Sequence, residues 1–218
     1  MNYTTKIARD TKDPQILTEI LKRGKDDDLS MYAVNNPNCP PELLVGILRR
    51  GNNARVSLYA AFNPSCPKEM LVEILKREKD DWISSCASNN SNCPSEILME
   101  IIRRGNDDRV SCNAVQNPNC PKEMLIEILR RNEDNNVSSS AASHPNCPEE
   151  MLIEILGRGK DDLVSESAAD NSNCPLKEKI KWMQVTRQIV KEDPSKHIIE
   201  YEKVKEDDFQ DLKDLLNV

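Results

Sequence analysis

The sequence predicts an all-α protein, a curved array of about six 27-residue two-helix units with a cap at each end. Three observations lead there. A cysteine recurs at Cys39, Cys66, Cys93, Cys120, Cys147 and Cys174, always 27 residues apart. Helix-start and helix-stop residues surround each of them in the same order. Aromatic residues make up only 4% of the chain, so a thin core of Leu, Ile, Val and Ala shared between neighbours replaces one thick core.

Taken in order, residues 1–11 form an N-terminal cap, in which Lys6 to Thr11 is the tail of a short helix. The array then spans 12–173. Asp13-Pro14 starts the first long helix, and the next begins at Cys39-Pro40-Pro41-Glu42, read as a capping box with cysteine at the N-cap. Leu43, Leu44, Ile47 and Leu48 follow at helical spacing. Gly51 ends that helix as Gly24, Gly105 and Gly159 end theirs; Asn132 substitutes for glycine well, and Glu78 is the exception. A shorter helix starts at once, its caps read as Asp26, Asn53, Asp80, Asp107, Asp134 and Asp161.

The buried face of the short helix is expected at Leu29, Val56, Ile83, Val110, Val137 and Val164, with Ala33, Ala60, Ala87, Ala114, Ala141 and Ala168 one turn on. Ser30, Ser57, Ser84, Ser111, Ser138 and Ser165 lie between those rows, and Asn-Pro or Asn-Ser stops the helix, with His144 replacing Asn once. Small residues permit close approach, so the short helices belong on the concave side. Residues 174–218 form a C-terminal cap and acidic tail: a helix through Trp182 and Met183 towards Lys191, an extended His197 to Val204, and a last helix carrying Phe209, Leu212, Leu215 and Leu216.

The pattern N-P-x-C-P-x-E-x-L-x-x-I-L, then Asp, then V-x-x-x-A-A-x-N-P, resembles the leucine-rich repeat variant family over roughly residues 10–175. The resemblance implies an all-helical, right-handed solenoid. Cys stands where that family carries Thr at the long-helix start, and Ser where its short helix often carries Arg. The cysteine-rich iron–sulfur module of one family member has no counterpart, so the resemblance brings no cofactor.

Composition excludes several function classes. The net charge of −7 argues against general nucleic-acid affinity. No apolar run approaches membrane-spanning length and no signal-type segment follows Met1, which leads to the expectation of a soluble cytoplasmic protein. Helices stack about 8–10 Å apart, too far for the periodic cysteines to pair. The two histidines, His144 and His197, complete no metal set, so no metal or cofactor is expected. Carboxylates that repeat with the unit read as caps rather than as an acid–base pair, and no enzyme is expected.

Two surfaces remain as candidates. The outward positions of the first short helices carry Met31, Tyr32, Leu58, Tyr59, Phe62, Trp82 and Cys86; the later ones carry Asn113, Gln116, Asn136, Ser139, Ser140 and Ser143, with Leu163 the main apolar return. Aromatic residues clustered on one face point to a protein or peptide partner. The alternative is a polyanion or nucleic-acid track along Arg49, Arg50, Lys76, Arg77, Arg103, Arg104, Arg130 and Arg131 at the long-helix ends. Arg23, Arg77, Arg104, Arg131 and Arg158 lie four residues after Glu19, Glu73, Glu100, Glu127 and Glu154, which predicts intrahelical pairing instead. Cys86 and Cys112, outward on adjacent units, are a candidate redox pair.

Overall fold

The computed structural model describes residues 3–50 and 55–186. Among them every regular element is a helix, in two compact units, Met1–Pro121 and Lys122–Val218. In the first, short helices α1 (Thr5–Asp10), α3 (Asp28–Asn35), α5 (Arg55–Phe62), α7 (Trp82–Ser88) and α9 (Arg109–Gln116) alternate with long helices α2 (Pro14–Lys22), α4 (Pro41–Arg49), α6 (Lys68–Leu75) and α8 (Ser95–Arg103). The second continues the alternation with α10 (Lys122–Arg130), α11 (Asn136–Ser143), α12 (Glu149–Gly157), α13 (Leu163–Asp170) and α14 (Leu176–Val185). This is an all-helical repeat protein.

Within the N-terminal unit the backbones of successive short helices approach closely, and those of successive long helices do not. Side-chain size explains it. Ser57, Ala60, Ser84, Ala87, Ser111 and Ala114 fill the short-helix contacts, whereas Leu44, Ile47, Leu71, Ile74, Leu98 and Ile101 space the long helices; all are buried. Leu29, expected in the buried row, is only half-buried.

The long-helix start differs from expectation. The N-cap residues are Pro40, Pro67, Pro94, Pro148 and Pro175, with no side-chain cap bond, and each cysteine stands one residue earlier. Sulfur accepts hydrogen bonds weakly, so burial decides its place: the six thiols are apolar plugs, at most 7% exposed. The short-helix caps also shift by one residue. Asp27, Asp81, Asp108, Asn135 and Asp162 accept the N–H of Ser30, Ser84, Ser111, Ser138 and Ser165 at 2.7–2.9 Å, the N-cap to N3 bond. Asp26 instead reaches the following repeat and accepts N–H from Arg55 at 3.3 Å and Val56 at 3.0 Å at the head of α5.

The left-handed residue after the long helix is as expected at Gly24, Gly105, Gly159 and Asn132, and Glu78 adopts it too, with φ of 55°. The Glu78 turn is therefore regular, at a cost that glycine would not incur. Gly51 and Asn53 lie outside the described residues.

The asparagines read as helix stops form a buried ladder. Asn90 donates through Nδ2 to the carbonyls of Ala61 (2.7 Å) and Asn63 (2.9 Å), while its Oδ1 accepts from Asn92 N–H (2.8 Å). Asn63 and Asn117 repeat this in their own positions, and Asn36 does so against the carbonyls of Ala8, Arg9 and Thr11. In the C-terminal unit Asn171 holds Ala142 and His144. At these five asparagines the side chain that ends one helix thereby fastens its repeat to carbonyls left over at the previous one.

Helix α14 packs on α12, and the buried Trp182 donates from Nε1 to Lys160 O at 2.6 Å. The continuation towards Lys191, the extended His197 to Val204 and the terminal helix through Phe209, Leu212, Leu215 and Leu216 lie outside the described residues.

Candidate docking face of the N-terminal unit

Helices α3, α5 and α7 present Tyr32, Tyr59, Phe62 and Trp82 to solvent, with 40%, 38%, 48% and 59% of their surface exposed; Met31 and Leu58 are half-buried beside them. The core positions of these helices are already filled by Val, Ile, Ser and Ala, so the rings are surplus to the core. Side chains of neighbouring short helices meet 28 residues apart: Asn113 Nδ2 donates to Ser85 O (3.0 Å) and Oγ (2.7 Å), and Ser139 and Ser167 share a hydroxyl bond of 2.7 Å. The same register sets Tyr59 opposite Met31 and Cys86 opposite Leu58. Along the N-terminal unit this row passes from apolar to polar.

The first position of each short helix makes a second row. Arg55 Nη1 lies 3.6 Å from Asp28 Oδ1. Two steps along, the Arg109 guanidinium lies 3.8 Å from the centre of the Trp82 ring. Arg109 was not among the expected site residues, although its spacing from Trp82 is one period. Cation–π stacking of this kind contributes about 0.5–1 kcal/mol at an exposed site.

In the C-terminal unit Leu163 is exposed and the remaining outward positions are polar. Ser140 departs from expectation: it is buried, because Ser and Ala side chains let neighbouring helix backbones cover it.

The basic ladder is largely matched by carboxylates. Arg104, Arg131 and Arg158 each hold the Glu four residues before them, Glu100, Glu127 and Glu154, at 3.0–3.1 Å. Arg104 also lies 3.5 Å from Glu78, and Arg158 donates to Asn132 Oδ1 at 2.7 Å. Two expected intrahelical pairs are replaced: Glu19 accepts from the Tyr3 hydroxyl, and Glu73 lies 3.6 Å from Arg49. Arg23 turns to Asp27, and Arg77 donates to Ile74 O at 3.3 Å. Lys76, Arg103 and Arg130 are exposed.

Burial pushes the thiols of Cys39, Cys66, Cys93 and Cys147 up to about 12, and those of Cys120 and Cys174 up to about 11. It raises Cys86 as well, the opposite of what a reactive thiolate needs. The 28-residue register sets Cys86 opposite Leu58 on one side and Ala114 on the other, not opposite Cys112. Among the described residues no group of three or more His, Cys, Asp or Glu is arranged to hold a metal ion, and no helix is long and apolar enough to cross a membrane.

No protein-family model, curated protein or solved structure matches this chain. The functional reading therefore rests on its own geometry.

Proposed function

We propose that the N-terminal unit is a non-catalytic docking platform for a protein or peptide partner in the cytoplasm, with Met31, Tyr32, Leu58, Tyr59, Phe62 and Trp82 as its contact face. The observation that carries this is four partly exposed aromatic rings on three consecutive short helices, in a chain with eight aromatics in all. Large rings left in water are costly unless something covers them, and Tyr and Trp dominate binding hot spots. Helices fastened by the asparagine ladder hold the rings in place, so little conformational entropy is lost on docking. Kinship with leucine-rich repeat variant proteins belongs to the same proposal, supported by the repeat motif and the paired helices.

The test uses the full chain as bait, with each specific partner then purified and its binding to wild type and to a Tyr59→Ala/Trp82→Ala variant measured by calorimetry. We expect at least a tenfold loss of affinity, about 1.4 kcal/mol. Partial burial of both rings and the loss of the Arg109 stack predict about 2 kcal/mol of lost stability, not global unfolding. Unchanged affinity sinks the reading. Polyanion binding along the arginines is the lesser alternative because glutamates already occupy much of the ladder. It predicts affinity that collapses as salt rises, whereas an aromatic contact is comparatively indifferent.

A further inference from the structure

One arginine in the ladder lacks both of its usual acceptors. Arg104 and Arg158 bridge two groups, the Glu one turn back on their own helix and the left-handed residue of the preceding repeat. Arg50 holds the corresponding place, but its two partner positions are Gly46 and Gly24. Its Nη1 lies 4.0 Å from where a Cβ on Gly24 would stand, so the guanidinium is posed over the vacant acceptor. A Cβ on Gly46 would meet nothing within 4 Å. Among the described residues no carboxylate pairs with Arg50.

Gly24 and Arg50 line a pocket of about 40 Å³, together with Leu21, Lys25, Asp26 and Val56 among others. That exceeds the roughly 10–15 Å³ a single water needs, leaving room for a carboxylate group. Lys25 adds a second positive charge to the wall. Asp26 opposes an anion less than its charge suggests, because the Arg55 and Val56 amides already hold its carboxylate.

We propose that Arg50, with Lys25 beside it, is a receptor for the carboxylate of an Asp or Glu side chain on the partner, which takes the role that Glu100, Glu127 and Glu154 play for the arginines of their own repeats. Carboxylate is the ligand chemistry the ladder itself favours: Arg104, Arg131 and Arg158 each hold the glutamate one turn back, and Arg23 holds Asp27. Planar guanidinium binds carboxylate through paired charge-assisted bonds. The proposal extends the docking reading by giving the partner an acidic anchor, but its test needs no partner, so the two fail separately.

The probe is acetyl-Glu-amide, titrated into the ¹⁵N-labelled full chain while the arginine Nε–H signals are followed by NMR, with acetyl-Gln-amide and inorganic phosphate as comparisons. The expected result is a saturable millimolar response at Arg50 to the glutamate probe, none to the glutamine probe, and little movement of Arg104, Arg131 and Arg158. Gly46→Glu should abolish the response by supplying the carboxylate internally, while Gly46→Ala should keep it. Both substitutions are expected to preserve the fold, since each removes glycine from a helix interior. An Arg50 signal that moves no more than its paired neighbours overturns the proposal. So does a response that survives Gly46→Glu, or one given by phosphate and not by glutamate.

Discussion

Replacing Asn90 by Ala tests the interlock between repeats directly. Asn90 is 1% exposed and makes three hydrogen bonds, two of them to carbonyls of the preceding repeat. At about 1 kcal/mol net for each bond, the substitution costs about 3 kcal/mol, and the buried groups left without partners push the figure up rather than down. Neighbouring repeats share the loss because stability in such arrays is a sum of unit and interface terms. Urea unfolding followed by far-UV circular dichroism measures it, with Asn89→Ala as the control. Asn89 is exposed one residue earlier, and its replacement is expected to stay within about 0.5 kcal/mol. A cost below about 1 kcal/mol for Asn90→Ala would refute the claim that these amides fasten the stack.

Two further outcomes follow from the turns and the thiols. Glu78→Gly should raise stability by about 1 kcal/mol, because φ of 55° strains any residue with a Cβ and the exposed contact to Arg104 is worth less than that; a fall in the urea midpoint would argue against it. The six buried thiols have raised folded-state values, so the stability they carry is complete below the ordinary thiol range near 9 and is lost as pH rises through about 11 to 12. Thermal melts from pH 8 to 12 should therefore fall more gently for Cys66→Ala than for wild type, and equal slopes would contradict the assignment.

Much of the exposed aromatic face was legible in the sequence because the period of 27 residues fixes which side chains share a row. Tyr32, Tyr59 and Trp82 stand outward as their spacing predicts. The stacking of Arg109 on Trp82 falls outside a pattern of apolar outward positions, because it joins an aromatic ring to a cation one period away. The cysteine was placed correctly in the repeat but given the wrong task. A small polar-looking residue before Pro resembles an N-cap, and only burial distinguishes a plug from a cap. The double acids at 26–27, 80–81, 107–108 and 161–162 posed a similar ambiguity: either carboxylate suits a helix start, and the backbone chose the second.

Helix order, repeat length, the composition of the shared core and the aromatic face were determined by the amino-acid sequence alone, because each depends on local propensity and on periodicity. Contacts between repeats needed the tertiary structure. It turned Asn36, Asn63, Asn90 and Asn117 from stop signals into inter-repeat bonds, sent Asp26 to the next repeat's helix, and left Arg50 between two glycines. The physical reason is that a side chain's hydrogen-bond partner is set by what stacks against it, and no spacing within one repeat encodes which of its neighbour's groups will lie within 3 Å.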